Sequence, residues 1–281
     1  MSLGLGTAAQ ALEVTAGDYE IYPAGVNIGV LYYQHATRSD LYANGTKVLG
    51  NAKLTSDIGI ARYIRPIALS ETATLDINVI QPFGHLHAKD DVAFLGSRSG
   101  AADLILGAPV KFLMDPATRD AFSVGPYLYL PTGTYDRNKP LNLGENRWKF
   151  LLQLAYVKHF NPNWALDVVG DVEVNRKNDD FGPAGDTMKQ DPRKEIQAHL
   201  RYMPSQATAF SVGVGRYWVA DQEVNGATVM EGARNTYGRL TVTHFLDQTT
   251  QFQAQLGRDL AVDRGGFKES ARLNLRLGKI F

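Results

Sequence analysis

Residues 271–277 alternate strictly: Ala271, Leu273, Leu275 and Leu277 share one parity, and Arg272, Asn274 and Arg276 share the other. A period of two makes a β-strand lying between two unlike environments. In a soluble sandwich the apolar parity faces a core. In a membrane barrel it faces lipid and the polar parity lines a lumen. One strand leaves both open, so the number and spacing of strands must decide. Comparable segments recur near 26–36, 52–64, 73–83, 101–112, 121–131, 147–159, 164–175, 193–203, 207–218, 235–246, 250–260 and 268–281. Each is long enough for a tilted strand to cross a hydrocarbon layer. Their connections alternate between short, such as Phe160–Asn163 and Met203–Gln206, and long, such as Thr37–Asn51, Gly84–Ser99 and Arg176–Pro192. That rhythm predicts an all-β, membrane-spanning, antiparallel up-and-down β-barrel of about 12 strands, short turns at one end and polar loops at the other. An even strand count puts both termini in the periplasm.

The rest of the composition fits. No run approaches the roughly 18 apolar residues of a spanning helix, which leaves the barrel as the other structure that satisfies its backbone in lipid. The chain carries 29 basic and 29 acidic residues, a balance that argues against a nucleic-acid partner. It has no cysteine, which excludes disulfides and thiolate metal sites. Ala9-Gln10-Ala11 resembles a signal-peptidase site, so residues 1–11 read as a signal remnant or as residues added ahead of the native chain. Residues 12–25 form an N-terminal segment and 26–281 the barrel. The segment holds Asp18, Tyr19, Glu20 and Tyr22 but does not alternate. It folds into the lumen or hangs as a periplasmic tail.

Aromatic residues stand at segment ends and aliphatic ones between them, as in Trp148, Phe150, Leu152, Leu154 and Tyr156, the arrangement of interfacial girdles. The terminal aromatic, Phe281, is what the barrel-assembly machinery reads. Lys279, two residues before it, departs from the usual apolar signature, and near the interface it can snorkel.

If apolar parities face lipid, the opposite parities line the lumen. The expected lining is Asp57, Asp76, Asp103, Lys111, Lys149, Asp167, Asp171 and Glu173 in the early wall, mostly acidic. The later wall supplies Glu195, His199, Arg201, Arg239, Arg272 and Arg276, mostly basic. A cation at the bilayer midplane costs about 2–4 kcal/mol when it faces lipid, which supports this register. The charges either pair and plug the interior or set up a transverse field in a narrow lumen. Paired charges in a narrow channel serve both roles. Pro82, Pro109, Pro126 and Pro131 fall in segments three to five, where each removes a ladder donor. They make a harmless bulge at a rim, or a weakened wall that lets apolar solutes leave sideways.

The stretch Tyr22-Pro23-Ala24-Gly25-Val26-Asn27, running into Tyr32-Tyr33, is similar to the opening of the meta-pathway phenol-degradation-like family of outer-membrane channels. So are residues 125–136, Gly-Pro-Tyr-Leu-Tyr-Leu-Pro-Thr-Gly-Thr-Tyr-Asp, and 143–148, Leu-Gly-Glu-Asn-Arg-Trp. The resemblance implies a passive channel in the outer membrane of a Gram-negative bacterium, linked to uptake of hydrophobic or aromatic compounds. The expected partners are outer-membrane lipid and small-molecule solutes, the expected state is a monomer without a cofactor, and the resemblance carries over no catalytic residue.

A lipase-like barrel enzyme would want a Ser/His/Asn set. The candidates His85 and His87, near Asp90 and Asp91, read as a solvated acidic loop rather than a metal site, and the nucleophile-elbow and zinc-protease motifs are absent. A hydrophilic porin for small polar solutes would want a basic ladder over much of the wall, which a mixed-charge lining does not supply. A linker helix, as an autotransporter translocator would need, has no counterpart in the pattern.

Overall fold

The structure, a computed structural model, describes residues 14–281; the expected leader, 1–11, lies outside them. All twelve segments are strands of one antiparallel sheet: β1 (Ile28–Ala43), β2 (Ala52–Ala68), β3 (Ala73–Asp90), β4 (Ser97–Ala101, Leu104–Gly107 and Val110–Asp115), β5 (Asp120–Leu130), β6 (Lys149–Asn161), β7 (Trp164–Asn175), β8 (Arg193–Tyr202), β9 (Thr208–Trp218), β10 (Arg234–Phe245), β11 (Thr250–Val262) and β12 (Gly266–Ile280). β12 pairs with β1 from Ile28↔Ile280 to Tyr42↔Gly266, so the sheet closes and has no edge. The short turns and the C-terminus share one end, here the turn end; the long connections form the loop end.

The alternation becomes two faces. Phe150, Leu152, Leu154 and Tyr156 are 40–46% exposed, while Lys149, Leu151 and Gln153 between them are buried. Every wall strand repeats this, and an apolar belt of that extent on the outside is stable only in lipid. Inward-facing bulk is accommodated by glycine on the next strand. A Cβ at Gly215 would land on the Tyr237 ring, and one at Gly213 on His199.

Three features differ from the sequence expectation. First, β1 to β3 run well past the expected ends. The expected loop 37–51 is mostly a hairpin whose return strand is Thr46–Leu49. Its turn is Asn44-Gly45, both at positive φ, 50° and 71°, the conformation of a type I′ turn. His85 and His87 accordingly lie on β3, not in an acidic loop. Second, a four-stranded sheet (Asn178–Phe181, Asp186–Gln190, Gln222–Val224 and Ala227–Met230) joins two long connections over the loop end. It too turns on an Asn-Gly pair, Asn225-Gly226. Third, β4 is broken at Ala102-Asp103 and again at Ala108-Pro109. Pro109 brings no N–H to the ladder. Asp103 leaves it to accept hydrogen bonds from the Gly133 and Glu145 amides, 2.9 and 3.0 Å. These bonds fold the 131–148 connection inward, where Gly133 lies so close to Gly144 that a Cβ on it would meet the facing Cα at 2.6 Å.

Candidate functional site: a plugged, two-faced lumen

The turn half of the lumen is filled by the N-terminal segment. Its residues are too polar and too irregular to pair as a strand, and the wall satisfies their polar atoms instead. Asp18 pairs with Arg276. Lys111 donates to the carbonyls of Asp18 and Glu20, 3.2 and 2.8 Å. The Gly17 amide donates to Asp167, 2.8 Å, and Tyr19 to Gln153. Gly25 N to Pro66 O and reciprocal Asn27–Phe281 bonds carry the chain out to the wall. A cavity of about 990 Å³, bounded by this segment, the turns and residues such as Arg62 and Arg276, remains on its turn side.

Glu20 is the far anchor. Its Oε1 accepts from Arg201, 2.7 Å, and from His159, 3.0 Å. Burial pushes its carboxyl up, but the His159 hydrogen bond and the Arg201 charge outweigh that and hold it at about 2. A carboxyl held below its ordinary 4.5 stabilises the docked segment fully above about pH 4.5 and loses that contribution as pH falls toward about 2. Bilayer conductance is therefore expected to stay flat from pH 7 to about pH 5 and to rise below about pH 4. Glu20→Gln, which weakens a charge-assisted pair by about 1–3 kcal/mol, should show the raised conductance already at pH 7.

The loop half has two unlike walls. On β2 to β6 aliphatic side chains predominate on the inward face: Leu54, Ile58, Ile60, Ile80, Ile105 and Leu151 are at most 5% exposed, with Ser56, Asp103 and Lys149 among them. Leu141 and Leu143 of the inward-folded connection cover them. From β6 round to β12 the lining is charged and paired. Glu145 holds Arg147 and Lys149, each at 2.6 Å. Arg193 bridges Glu195 and Asp171. Glu269 gathers Arg272, Arg239 and Arg38.

Of the residues expected to line the lumen, Asp76, Asp103, Lys111, Lys149, Asp167, Asp171, Glu173, Glu195, His199, Arg201, Arg239, Arg272 and Arg276 are all buried on the inward parity. They fall into separate groups: Asp76 pairs with Lys111 at 3.0 Å, and Arg201 with Asp167 at 2.8 Å. Asp57 is the correction. It faces outward, accepting from Tyr33 at 2.6 Å and bonded to His35 at 2.7 Å. The parity rule assumed a polar lumen, and on β2 the inward set is mostly aliphatic: Leu54, Ile58 and Ile60, with Ser56 and Arg62. The other early-wall charges share the inner face with aliphatic side chains. Arg38, Arg62, Glu145, Arg147 and Glu269 also face inward and were missed. Lys279 reaches back to Thr249 and Thr250 of the last turn, 2.7 Å each.

The prolines gather at the breaks in β4. Pro82 and Pro126 stand on the neighbouring strands opposite the two breaks, and Pro109 is in one of them. Pro131 lies just beyond β5 rather than in it. Across the first break the β3–β4 ladder is carried by Ala102 N to Pro82 O, 2.9 Å, with the Gln81 amide spanning both carbonyls. Across the second, Asp76 N to Pro109 O carries the β3–β4 ladder and Ala108 N to Pro126 O the β4–β5 ladder. Ile80 and Ile105, paired between the two breaks, are buried on the inner face.

The family described as "Putative MetA-pathway of phenol degradation" matches residues 37–277. A solved COG4313 outer membrane channel from Pseudomonas putida F1 is 43% identical, with TM-score 0.93 over 96% of this chain and 100% of that one. The translocator domain of the autotransporter NalP from Neisseria meningitidis is 10% identical, with TM-score 0.52 over 94% and 91% of the two chains. The transport unit of the autotransporter AIDA-I from Escherichia coli is 8% identical, with TM-score 0.52 over 96% and 93%. These two share the barrel fold alone. A comparison with curated protein sequences finds no match.

Proposed function

This chain belongs to the family described as "Putative MetA-pathway of phenol degradation", and on that premise we propose that it is a passive outer-membrane channel for small hydrophobic, chiefly aromatic, compounds. The observation that carries the substrate class is the apolar inner wall on β2 to β6. A water-filled pore keeps polar groups on its inward parity; here aliphatic side chains hold those positions, beside the two breaks in β4. Solute enters between the loops, rests on the apolar wall, and leaves sideways past Pro82, Pro109, Pro126 and Pro131 or downward past the plug. Paired charges on the opposite wall hold that side rigid and keep a thin polar path.

The same reading puts the turn end and both termini in the periplasm, leaves Phe281 exposed for the barrel-assembly machinery, and needs one copy of the chain. A hydrophilic porin is a poor match for the apolar wall. An enzyme is a poor match for a barrel whose 43%-identical relative is an outer membrane channel.

The test is uptake. Cells of an outer-membrane-channel-deficient strain that express the chain should take up a labelled aromatic hydrocarbon several-fold faster than the same strain without it. Their uptake of a disaccharide should not change. Equal hydrocarbon uptake in the two strains, or a gain for the sugar alone, would overturn the proposal.

A further inference from the structure

The outer face of β1 to β4 stops being apolar before the strands end. Going up β3 from the turn end, the outward residues are Leu75, Ile77, Val79, Gln81 and Phe83, then His85, His87 and Lys89. On β2 they are Tyr63, Ala61 and Gly59, then Asp57, Thr55 and Lys53. The register aligns two polar rows across four strands: His35–Asp57–His85–Ser99, and above it Thr37–Thr55–His87–Ser97. Within them the His85 Nδ1 and Ser99 Oγ are 2.7 Å apart, and the His85 and His87 rings stack at 5.9 Å.

The height of these rows follows from the strand. A strand tilted by about 40° climbs about 2.5 Å per residue along a barrel axis, so His85 stands about 30 Å above Ala73. The apolar band of such barrels is about 25 Å tall. The rows therefore stand just above hydrocarbon, beyond the ring formed by Tyr33 and Phe83, at the depth of lipid headgroups.

Above them the register puts Lys53 directly opposite Lys89, both exposed and both outward. Like charges directly opposite across two strands are destabilising. Neither lysine has an ion-pair partner among the described residues. Asp90, the nearest acid in sequence, is opposite Ala52 on the other parity. Two unpaired ammonium groups held about 5 Å apart at their Cβ atoms, over a shelf of imidazoles and hydroxyls, form a receptor for a phosphate dianion attached to a sugar.

We propose that this face binds the phosphorylated glycolipid of the outer leaflet. Lys53 and Lys89 take a phosphate; His85, His87, Ser97 and Ser99 take the sugar and its linkage; Tyr33 and Phe83 meet the first acyl carbons. The inference rests on the loop end facing outward, as in the reading above, and is independent of the solute carried.

The full chain in detergent, titrated with bisphosphorylated lipid A and followed by native mass spectrometry, tests it whether or not the chain transports anything. The wild type should bind bisphosphorylated lipid A at least ten-fold more tightly than the fully dephosphorylated form. The double variant Lys53→Gln/Lys89→Gln should lose that preference and keep its bilayer conductance, which also shows that it folds. If the double variant does not fold, Lys53→Gln alone should lose at least three-fold. Lys194→Gln, which removes an exposed outward lysine on β8 across the barrel, should bind like the wild type. Equal affinity for the two lipid forms, undiminished binding by the lysine variants, or an equal loss in Lys194→Gln would each overturn the site.

Discussion

A chain shortened to begin at Val26 is expected to conduct ions several-fold better than the full chain in planar bilayers, and to lose the acid-induced rise in conductance. The reason is where the barrier lies. Residues 14–25 bring Asp18, Tyr19 and Glu20 to the middle of the turn half, and their removal leaves only wall side chains there. The wall survives the cut: Ile28↔Ile280 and the reciprocal Asn27–Phe281 bonds lie outside the deleted residues. Breaking a fully buried ion pair by removing one partner costs about 3–5 kcal/mol. Here water enters the vacated space and hydrates Arg276 and Arg201, and Arg201 keeps Asp167, so the loss in stability is smaller. An unchanged conductance in the shortened chain would place the barrier in the loop half, at the inward-folded connection that carries Leu141 and Leu143.

Strand number and order were legible in the sequence because lipid enforces one rule on the outer face of every strand. Phe150, Leu152 and Leu154 must be apolar wherever the chain goes next. The lumen follows no such rule. Its charged arc, from Lys149 round to Arg276, could be read because there the inner face is the opposite of the outer one. On β2 both parities carry non-polar side chains, and Leu54, Ile58 and Ile60 face inward. The contrast between faces was lost, and Asp57 was misplaced with it. The alternating lengths of the connections marked the two ends, but not what the long ones do. Asn44-Gly45 and Asn225-Gly226 did carry a local signal for hairpins inside the expected loops. The inward fold of 131–148 had none, because it depends on Asp103 leaving its strand to cap two amides from distant positions. The N-terminal segment is a similar case: it has no periodicity, and its polar atoms are satisfied by β4, β6, β7, β8 and β12 at once.

The wall itself supplies the sharper test of how apolar solutes leave. Phe83 and Ala101 are paired Cα partners at the upper edge of the first break in β4. Paired residues of an antiparallel ladder have Cα atoms about 4.5 or 5.5 Å apart, inside the range a disulfide spans. The chain has no cysteine of its own, so Phe83→Cys/Ala101→Cys makes one bond and no other. Oxidised, that bond staples β3 to the loop-end piece of β4 and prevents the two from parting at Ala102-Asp103. Uptake of an aromatic hydrocarbon is expected to fall about ten-fold, equivalent to about 1.4 kcal/mol on the barrier, and a reductant should restore it. Ion conductance, which runs along the lumen past the plug, should not change. If the staple leaves uptake unchanged, the exit is downward and the prolines only shape a bulge. The shortened chain separates the routes: with the plug removed, the oxidised staple should no longer limit uptake, because an open turn end gives the solute a second way out.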